Sequence, residues 1–142
     1  MTALHVAHLV ALGLWGGVVL AEGVLEVHGQ RGEAEGAFAA RVHHWIDLVC
    51  EIPLLLAVLA TGAILAWRAP MTTTHLVKIA CGLFAVGVNV WCVGVVVRRR
   101  RAADAGDAAE VTRGTRLVFL AIKLGVPAAA VALYLGFTLV PV

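Results

Sequence analysis

Four apolar segments of nearly bilayer-spanning length constrain this chain more than any other feature of its sequence. They cover about residues 3–27, 42–67, 74–98 and 116–140. A transmembrane helix needs about 20 apolar residues. The pattern therefore predicts one all-α domain over residues 1–142, an integral membrane four-helix bundle that runs up-down-up-down. The composition agrees, because 61% of the residues are hydrophobic and 14% are charged, against about 45–50% and about 25% in soluble domains.

Basic residues are concentrated on one side of the predicted bundle. Eight of the eleven Lys and Arg residues lie in or beside the connections at about 29–41 and 102–115, whereas the connection at about 68–73 carries only Arg68. Cytoplasmic loops carry the excess of basic residues, so both termini are predicted to lie outside, with the chain in the cytoplasmic (inner) membrane. The run Arg98–Arg101 directly follows an apolar segment, so we interpret it as a topology anchor and expect no nucleic-acid partner.

Ionisable residues within the apolar segments are the candidate functional residues. Each costs about 2.5–3.5 kcal/mol on insertion scales, yet this chain carries many of them. Spacings of three, four and seven residues gather them onto one stripe per helix, which predicts a bundle with a polar core. The imidazoles and carboxylates among them are candidate ligands of a transition-metal ion: His8, His75, Glu22, Glu26, His43, His44, Asp47 and Glu51.

A deep polar layer is predicted about eight or nine residues, ~12–14 Å of helix rise, from the cytoplasmic end. It contains Glu51, Asn89 and Lys123, the candidate catalytic residues, and Pro53 and Pro127 interrupt the backbone hydrogen bonds beside it. A lone charge at this depth is costly and a paired one is tolerated, so we expect a Glu51–Lys123 ion pair with Asn89 adjacent. The pair is either a structural strut or a proton-transfer group.

Two histidines near the outer face form a second candidate site. His8 in the first segment and His75 in the third lie at matched depth. Two neutral imidazoles at one depth are what bis-histidine ligation of heme b requires, and they also suit copper or zinc. Lys78 and Tyr134 lie near the same level and complete the candidate cofactor-binding set.

The stretch His8–Leu–Val–Ala–Leu–Gly–Leu–Trp–Gly–Gly resembles the opening of small membrane proteins of the HemJ-type protoporphyrinogen oxidase and copper-resistance D families. The third segment begins His75–Leu–Val–Lys78, which is similar to the corresponding HemJ-type helix, and Pro127 and the final Pro141–Val142 are similar too. The resemblance implies a four-helix membrane heme protein with redox chemistry on a tetrapyrrole or an electron carrier. It implies His8 as the first-helix ligand and His75–Lys78 as its counterpart.

Four hypotheses about function remain open, and all of them place the chain in a lipid bilayer. The favoured one is a redox protein, a membrane oxidoreductase, that binds heme b and works with a quinone, a tetrapyrrole or an electron-transfer partner. A small proton or solute carrier and a structural subunit, each compatible with an oligomer, are further alternatives. The remaining one is a non-heme metal protein that uses Glu22, Glu26, His43, Asp47 and Glu51.

Overall fold

The computed structural model describes residues 2–138, and within them four helices are long and apolar enough to cross a membrane. They are α1 (Ala3–Gly29), α2 (Glu33–Arg68), α3 (Thr73–Ala105) and α4 (Ala108–Thr138). The predicted all-α bundle is confirmed, and the chain is a multi-pass membrane protein. The predicted end of the fourth helix near residue 140 and the Pro141–Val142 terminus lie outside the described residues.

Two of the predicted connections are mostly helical, which corrects the sequence interpretation. α2 already begins at Glu33 and α3 continues to Ala105. α3 ends because Gly106 adopts a left-handed conformation with φ 74°, and glycine does so without steric cost. α4 begins at once because the Asp107 carboxylate accepts a hydrogen bond of 3.0 Å from the Glu110 backbone N–H. The polar residues here belong to helix ends, not to a long loop.

One end of the bundle carries the tight α1–α2 and α3–α4 connections, and we call it the basic end. Small residues bring the helices together there. A Cβ atom added at Gly29 would lie 2.7 Å from the Cβ of Ala39, so α1 and α2 approach closely there. Ala39 and Ala40 are completely buried. Two apolar clusters continue this packing toward α3 and α4, namely Ala40, Ala102, Ala103 and Val111, and then Val95, Val96 and Val118.

The opposite end of the bundle is more open. There α1 packs along the second half of α2, while that half of α2 barely touches α3. The α1–α2 pair and the α3–α4 pair therefore separate away from the basic end. Large apolar side chains such as Leu20 and Trp67 face outward, with exposed fractions of 72% and 91%, as expected where lipid is the solvent.

One π-helical turn, Asp47–Glu51, interrupts α2 just before Pro53. The Ile52 N–H bonds the Asp47 carbonyl five residues back, and the proline follows in the next turn. In a regular α-helix, four residues rotate about 40° more than one full turn, so side chains spaced by four residues move gradually around the helix axis. The wider π turn offsets this drift, so it helps to hold residues 43, 47 and 51 on the face that meets α1.

Candidate functional site

Among residues 2–138, six ionisable side chains lie buried between the helices, in the half of the bundle nearest the basic end. They come from α1, α2 and α3, and each is at most 4% exposed. We call them the buried acid–base cluster, and its members are Glu22, Glu26, His43, Asp47, Glu51 and Arg99.

Glu26 is the centre of the hydrogen bonds in this cluster. Its Oε1 atom lies 2.5 Å from Nδ1 of His43 and 2.6 Å from Nη1 of Arg99. Glu26 is fully buried and Arg99 is 1% exposed. Charge-assisted hydrogen bonds of this length are among the stronger ones in proteins. Glu26 therefore connects α1 to both α2 and α3.

The run Arg98–Arg101 is not only a topology anchor, because Arg99 is buried in the bundle. Because α3 continues past these residues, each points to a different side of the helix, and Arg99 points into the bundle. Gly114 on α4 makes the space for it: a Cβ added at Gly114 would lie 2.9 Å from three carbon atoms of the Arg99 side chain. Arg98 and Arg101 are exposed.

His43 presents one nitrogen to Glu26 and the other to two further carboxylates. The Glu26 carboxylate can only accept a hydrogen bond, so Nδ1 of His43 is the donor, and in the neutral imidazole Nε2 is then free to act as a ligand. Nε2 lies 3.7 Å from Oε2 of Glu22 and 3.5 Å from Oδ1 of Asp47. Ligand atoms of these three residues all lie within 4.8 Å of one another.

Several oxygen atoms of this triad have no hydrogen-bond partner among residues 2–138. They are Oε1 of Glu22 and both carboxylate oxygens of Asp47, all of them buried. Buried polar groups are nearly always hydrogen-bonded in proteins, so these carboxyl groups need a proton shared with a neighbouring carboxyl group, a water molecule or a cation; Asp47 adjoins both Glu22 and Glu51. The buried acid–base cluster holds four carboxylates against one guanidinium and one imidazole. In a low-dielectric interior this excess of acid needs bound protons or a cation.

Glu51 extends the site toward α3. Its Oε1 atom accepts a hydrogen bond of 2.5 Å from Nδ2 of Asn89, so the predicted contact between these two residues is confirmed. A cavity of about 40 Å³ lies between Glu22, His43, Glu51 and Asn89. That volume is enough for a water molecule, which the four polar side chains would hold on one side, while the rest of the lining is mostly apolar.

The predicted Glu51–Lys123 ion pair is wrong. Within residues 2–138 no acidic oxygen lies within 4.0 Å of the Lys123 amine, and the Lys123 side chain is exposed. It lines a different cavity, on the outer side of α4 near the basic end. The physical reason is the rotation of α4: its interior face carries Gly114, Val118 and Ala121, and Lys123 lies off that face.

The structure gives His8 and His75 separate partners. Nδ1 of His8 lies 2.8 Å from Oγ1 of Thr61, across the α1–α2 interface. His75 stays at the start of α3, where its backbone N–H bonds the Thr72 hydroxyl at 3.3 Å. Whether the two imidazoles ligate one heme stays a prediction.

The other candidate residues lie outside the buried acid–base cluster. Lys78 is half-buried and its end packs over Gly136, while Tyr134 is 68% exposed on α4. His44 points to a neighbouring side of α2 from His43 and lies near Arg100 and Asp104. None of the three belongs to the group of ligand atoms that the structure brings together around His43.

No family model matches the chain, and searches of curated proteins and of solved structures find no match either. A functional assignment therefore rests on the chemistry of the site.

Proposed function

We propose that this membrane protein binds a divalent transition-metal ion within its helix bundle, with Glu22, His43 and Asp47 as ligands. The observation that carries the proposal is the orientation of His43. Its Nδ1 atom is committed to Glu26, and its Nε2 atom faces the buried carboxylates of Glu22 and Asp47, neither of which accepts a hydrogen bond from an N–H or hydroxyl donor within residues 2–138. One imidazole with two carboxylates suits ions such as Fe²⁺, Mn²⁺ and Zn²⁺.

The separations of the ligand atoms support this assignment. Two ligands about 2.1 Å from a tetrahedral ion are about 3.4 Å apart. The observed distances from His43 Nε2 to the Glu22 and Asp47 oxygens are 3.7 and 3.5 Å. A small inward movement of side chains would suffice. Glu51, next to Asp47, and the adjoining cavity would supply a fourth ligand or a water molecule.

The surroundings of the triad have the form expected around a metal site. A metal-bound histidine usually donates its second N–H to a carboxylate, which fixes the ring orientation. Here His43 donates to the Glu26 carboxylate, and Glu26 is held in place because it also accepts a hydrogen bond from Arg99. A divalent cation would also offset the excess of buried carboxylates.

Metal analysis of matched histidine variants tests the proposal. The full-length protein is purified in detergent, stripped with chelator, incubated with Zn²⁺ or Mn²⁺, and measured by elemental mass spectrometry. We expect about one ion per chain, because the proposal gives each chain one metal site. His43→Gln should lose the ion, and the neighbouring His44→Gln should keep it.

Equal metal content in the two variants, or none in the wild type, would contradict the proposal. Circular dichroism of each variant shows whether the helical fold is kept, so loss of metal is separated from loss of structure.

A proton relay is the second candidate function, and one observation favours it. Carboxylate and imidazole groups follow one another through the bundle as close neighbours, in the order Glu51, Asp47, Glu22, His43 and Glu26. Such chains mark proton paths in membrane proteins. In vesicles with a pH-sensitive dye, a relay would move protons without added metal and would be blocked by Glu51→Gln.

Binding of heme b through His8 is a separate proposal, and the residues around the His8 imidazole support it. The Thr61 hydroxyl donates to the Ala57 carbonyl at 2.6 Å, so it accepts from Nδ1 of His8 and leaves Nε2 available as a ligand. Gly62 provides the space, since a Cβ there would lie 3.2 Å from the ring. An optical spectrum of protein expressed with ample heme tests this, because His8→Ala should abolish or shift the Soret band. A colourless wild type would refute it.

The orientation of the chain is also proposed from its charges. The basic end would face the cytoplasm, with Thr2 on the outside of the cytoplasmic membrane, because basic residues concentrate in cytoplasmic segments. Thr2→Cys and Ala105→Cys, made in a background without the three native cysteines, should be labelled from opposite sides by an impermeant reagent. Labelling of Ala105→Cys in intact cells would reverse the assignment.

A further inference from the structure

A second, larger cavity lies at the basic end, on a side of the bundle away from the buried acid–base cluster. It has a volume of about 980 Å³ and lies between the α1–α2 connection, the beginning of α2 and the first half of α4. Ligand pockets are commonly about 300–1,000 Å³. Among its lining residues are two cations of α4, Arg116 and Lys123. They are seven residues apart, which places them on one side of the helix, two turns or ~10 Å apart.

Within residues 2–138 these two cations have no acidic partner. Both are exposed, and no carboxylate oxygen of residues 2–138 lies within 4.0 Å of their side-chain nitrogens. From Leu124 to Thr138 α4 carries no ionisable residue except Tyr134. A span needs about 20 residues of helix, so Arg116 lies near the membrane boundary and Lys123 inside it. A lysine at that depth extends its amine toward the boundary, where it meets water and the lipid headgroups.

The acidic residues of the cavity lie at its other end. Glu33 and Asp107 are at the first turns of α2 and α4, and Asp107 already accepts the hydrogen bond from the Glu110 backbone. Lys123 lies 16 residues beyond Asp107, or ~24 Å along the helix. The membrane side of the cavity is therefore positive, while its outermost edge carries the acids.

We propose that this cavity binds the headgroup phosphate of an anionic glycerophospholipid between Arg116 and Lys123. The acyl chains would then run along α4 into the bilayer. Phe119 lies on the same lining between the two cations and offers an apolar surface to them. A lipid is the occupant that the position selects, because the phosphate of a lipid lies at the membrane boundary, where Arg116 and the extended Lys123 amine meet. The proposal does not depend on the metal site.

Native mass spectrometry of the full-length protein in detergent tests this with three probes: phosphatidylglycerol, phosphatidylcholine and soluble glycerol 3-phosphate. We expect phosphatidylglycerol to bind about tenfold more tightly than phosphatidylcholine, and the double variant Arg116→Gln/Lys123→Gln to lose about tenfold in phosphatidylglycerol affinity. Arg113→Gln is the matched control. Arg113 is on the same helix, is exposed, and lies 3.7 Å from Glu110 outside the cavity. Its replacement should leave affinity within about twofold.

Three results would overturn the proposal. These are equal affinity for the two lipids, an equal loss in Arg113→Gln and in the double variant, and displacement of phosphatidylglycerol by glycerol 3-phosphate at similar concentration, which would indicate a soluble anion as the ligand. The charge-conserving variant Arg116→Lys/Lys123→Arg should keep the preference for phosphatidylglycerol, and circular dichroism of the Gln variant separates a loss of binding from a loss of fold.

Discussion

Replacing Arg99 with methionine should destabilise the bundle strongly, because it leaves Glu26 buried without its cation. The two groups are 2.6 Å apart, and their exposed fractions are 1% and 0%. Removing one partner of such a pair costs about 3–5 kcal/mol of unfolding free energy. We expect a value near the lower limit, about 3 kcal/mol, because His43 still donates to Glu26.

Reversible unfolding in mixed micelles, followed by tryptophan fluorescence, measures this free energy. Arg98→Met is the matched control, because Arg98 is the exposed neighbour on the same helix, and it should change stability by no more than about 0.5 kcal/mol. The double variant Arg99→Met/Glu26→Gln should recover much of the loss, since the direct partner of Arg99 is then neutral as well. The reasoning is refuted if Arg99→Met behaves like Arg98→Met, or if the Arg99 and Glu26 effects simply add.

Three further predictions use the same unfolding assay. Gly114→Ala should lose about 1–3 kcal/mol because its new methyl group would collide with a buried side chain 2.9 Å away, whereas Gly94→Ala, with open space around it, should not. Asn89→Leu should lose about 1–3 kcal/mol because Glu51 loses its hydrogen-bond donor, and an unchanged value would show that this bond is absent. Lys123→Met should stay within about 0.5 kcal/mol of the wild type, and a large loss would show that this lysine has a buried partner after all.

The helices themselves could be predicted from the sequence, but their ends at the basic end could not. The length of an apolar segment shows only the part of a helix that lies in lipid, and not the part that continues into water. Residues 33–41 and 98–115 carry charged residues every few positions and so do not read as apolar spans, but such segments form helices equally well outside the membrane. The local signals that end these helices are short: Gly106 at the end of α3 and the Asp107 carboxylate at the start of α4.

Much of the buried acid–base cluster was also predictable, because spacings of three and four residues put Glu22 and Glu26 on one face of α1, and His43, Asp47 and Glu51 on one face of α2. Arg99 was missed because it belongs to a basic run. A signal did exist, since Arg99 lies seven residues after Cys92, on the stripe that also holds Asn89.

The error at Lys123 has a different cause. Spacing shows which residues of one helix share a face, but it does not show which face turns toward the other helices. On α4 the small and β-branched residues Gly114, Val118 and Ala121 occupy the interior face, because close packing requires them there. Lys123 is then left outside. A stripe of small residues was therefore the better guide to the rotation of this helix.

X-ray absorption at the zinc edge of the Zn²⁺-loaded protein tests the proposed metal site most directly, because it counts ligand types around the ion. The arrangement of Glu22, His43 and Asp47 predicts nitrogen and oxygen ligands at about 2.0–2.2 Å with the scattering of one imidazole. His43→Gln should remove the imidazole signal. A sulfur ligand at about 2.3 Å, two or more imidazoles, or a spectrum unchanged in His43→Gln would place the ion elsewhere and contradict the assignment.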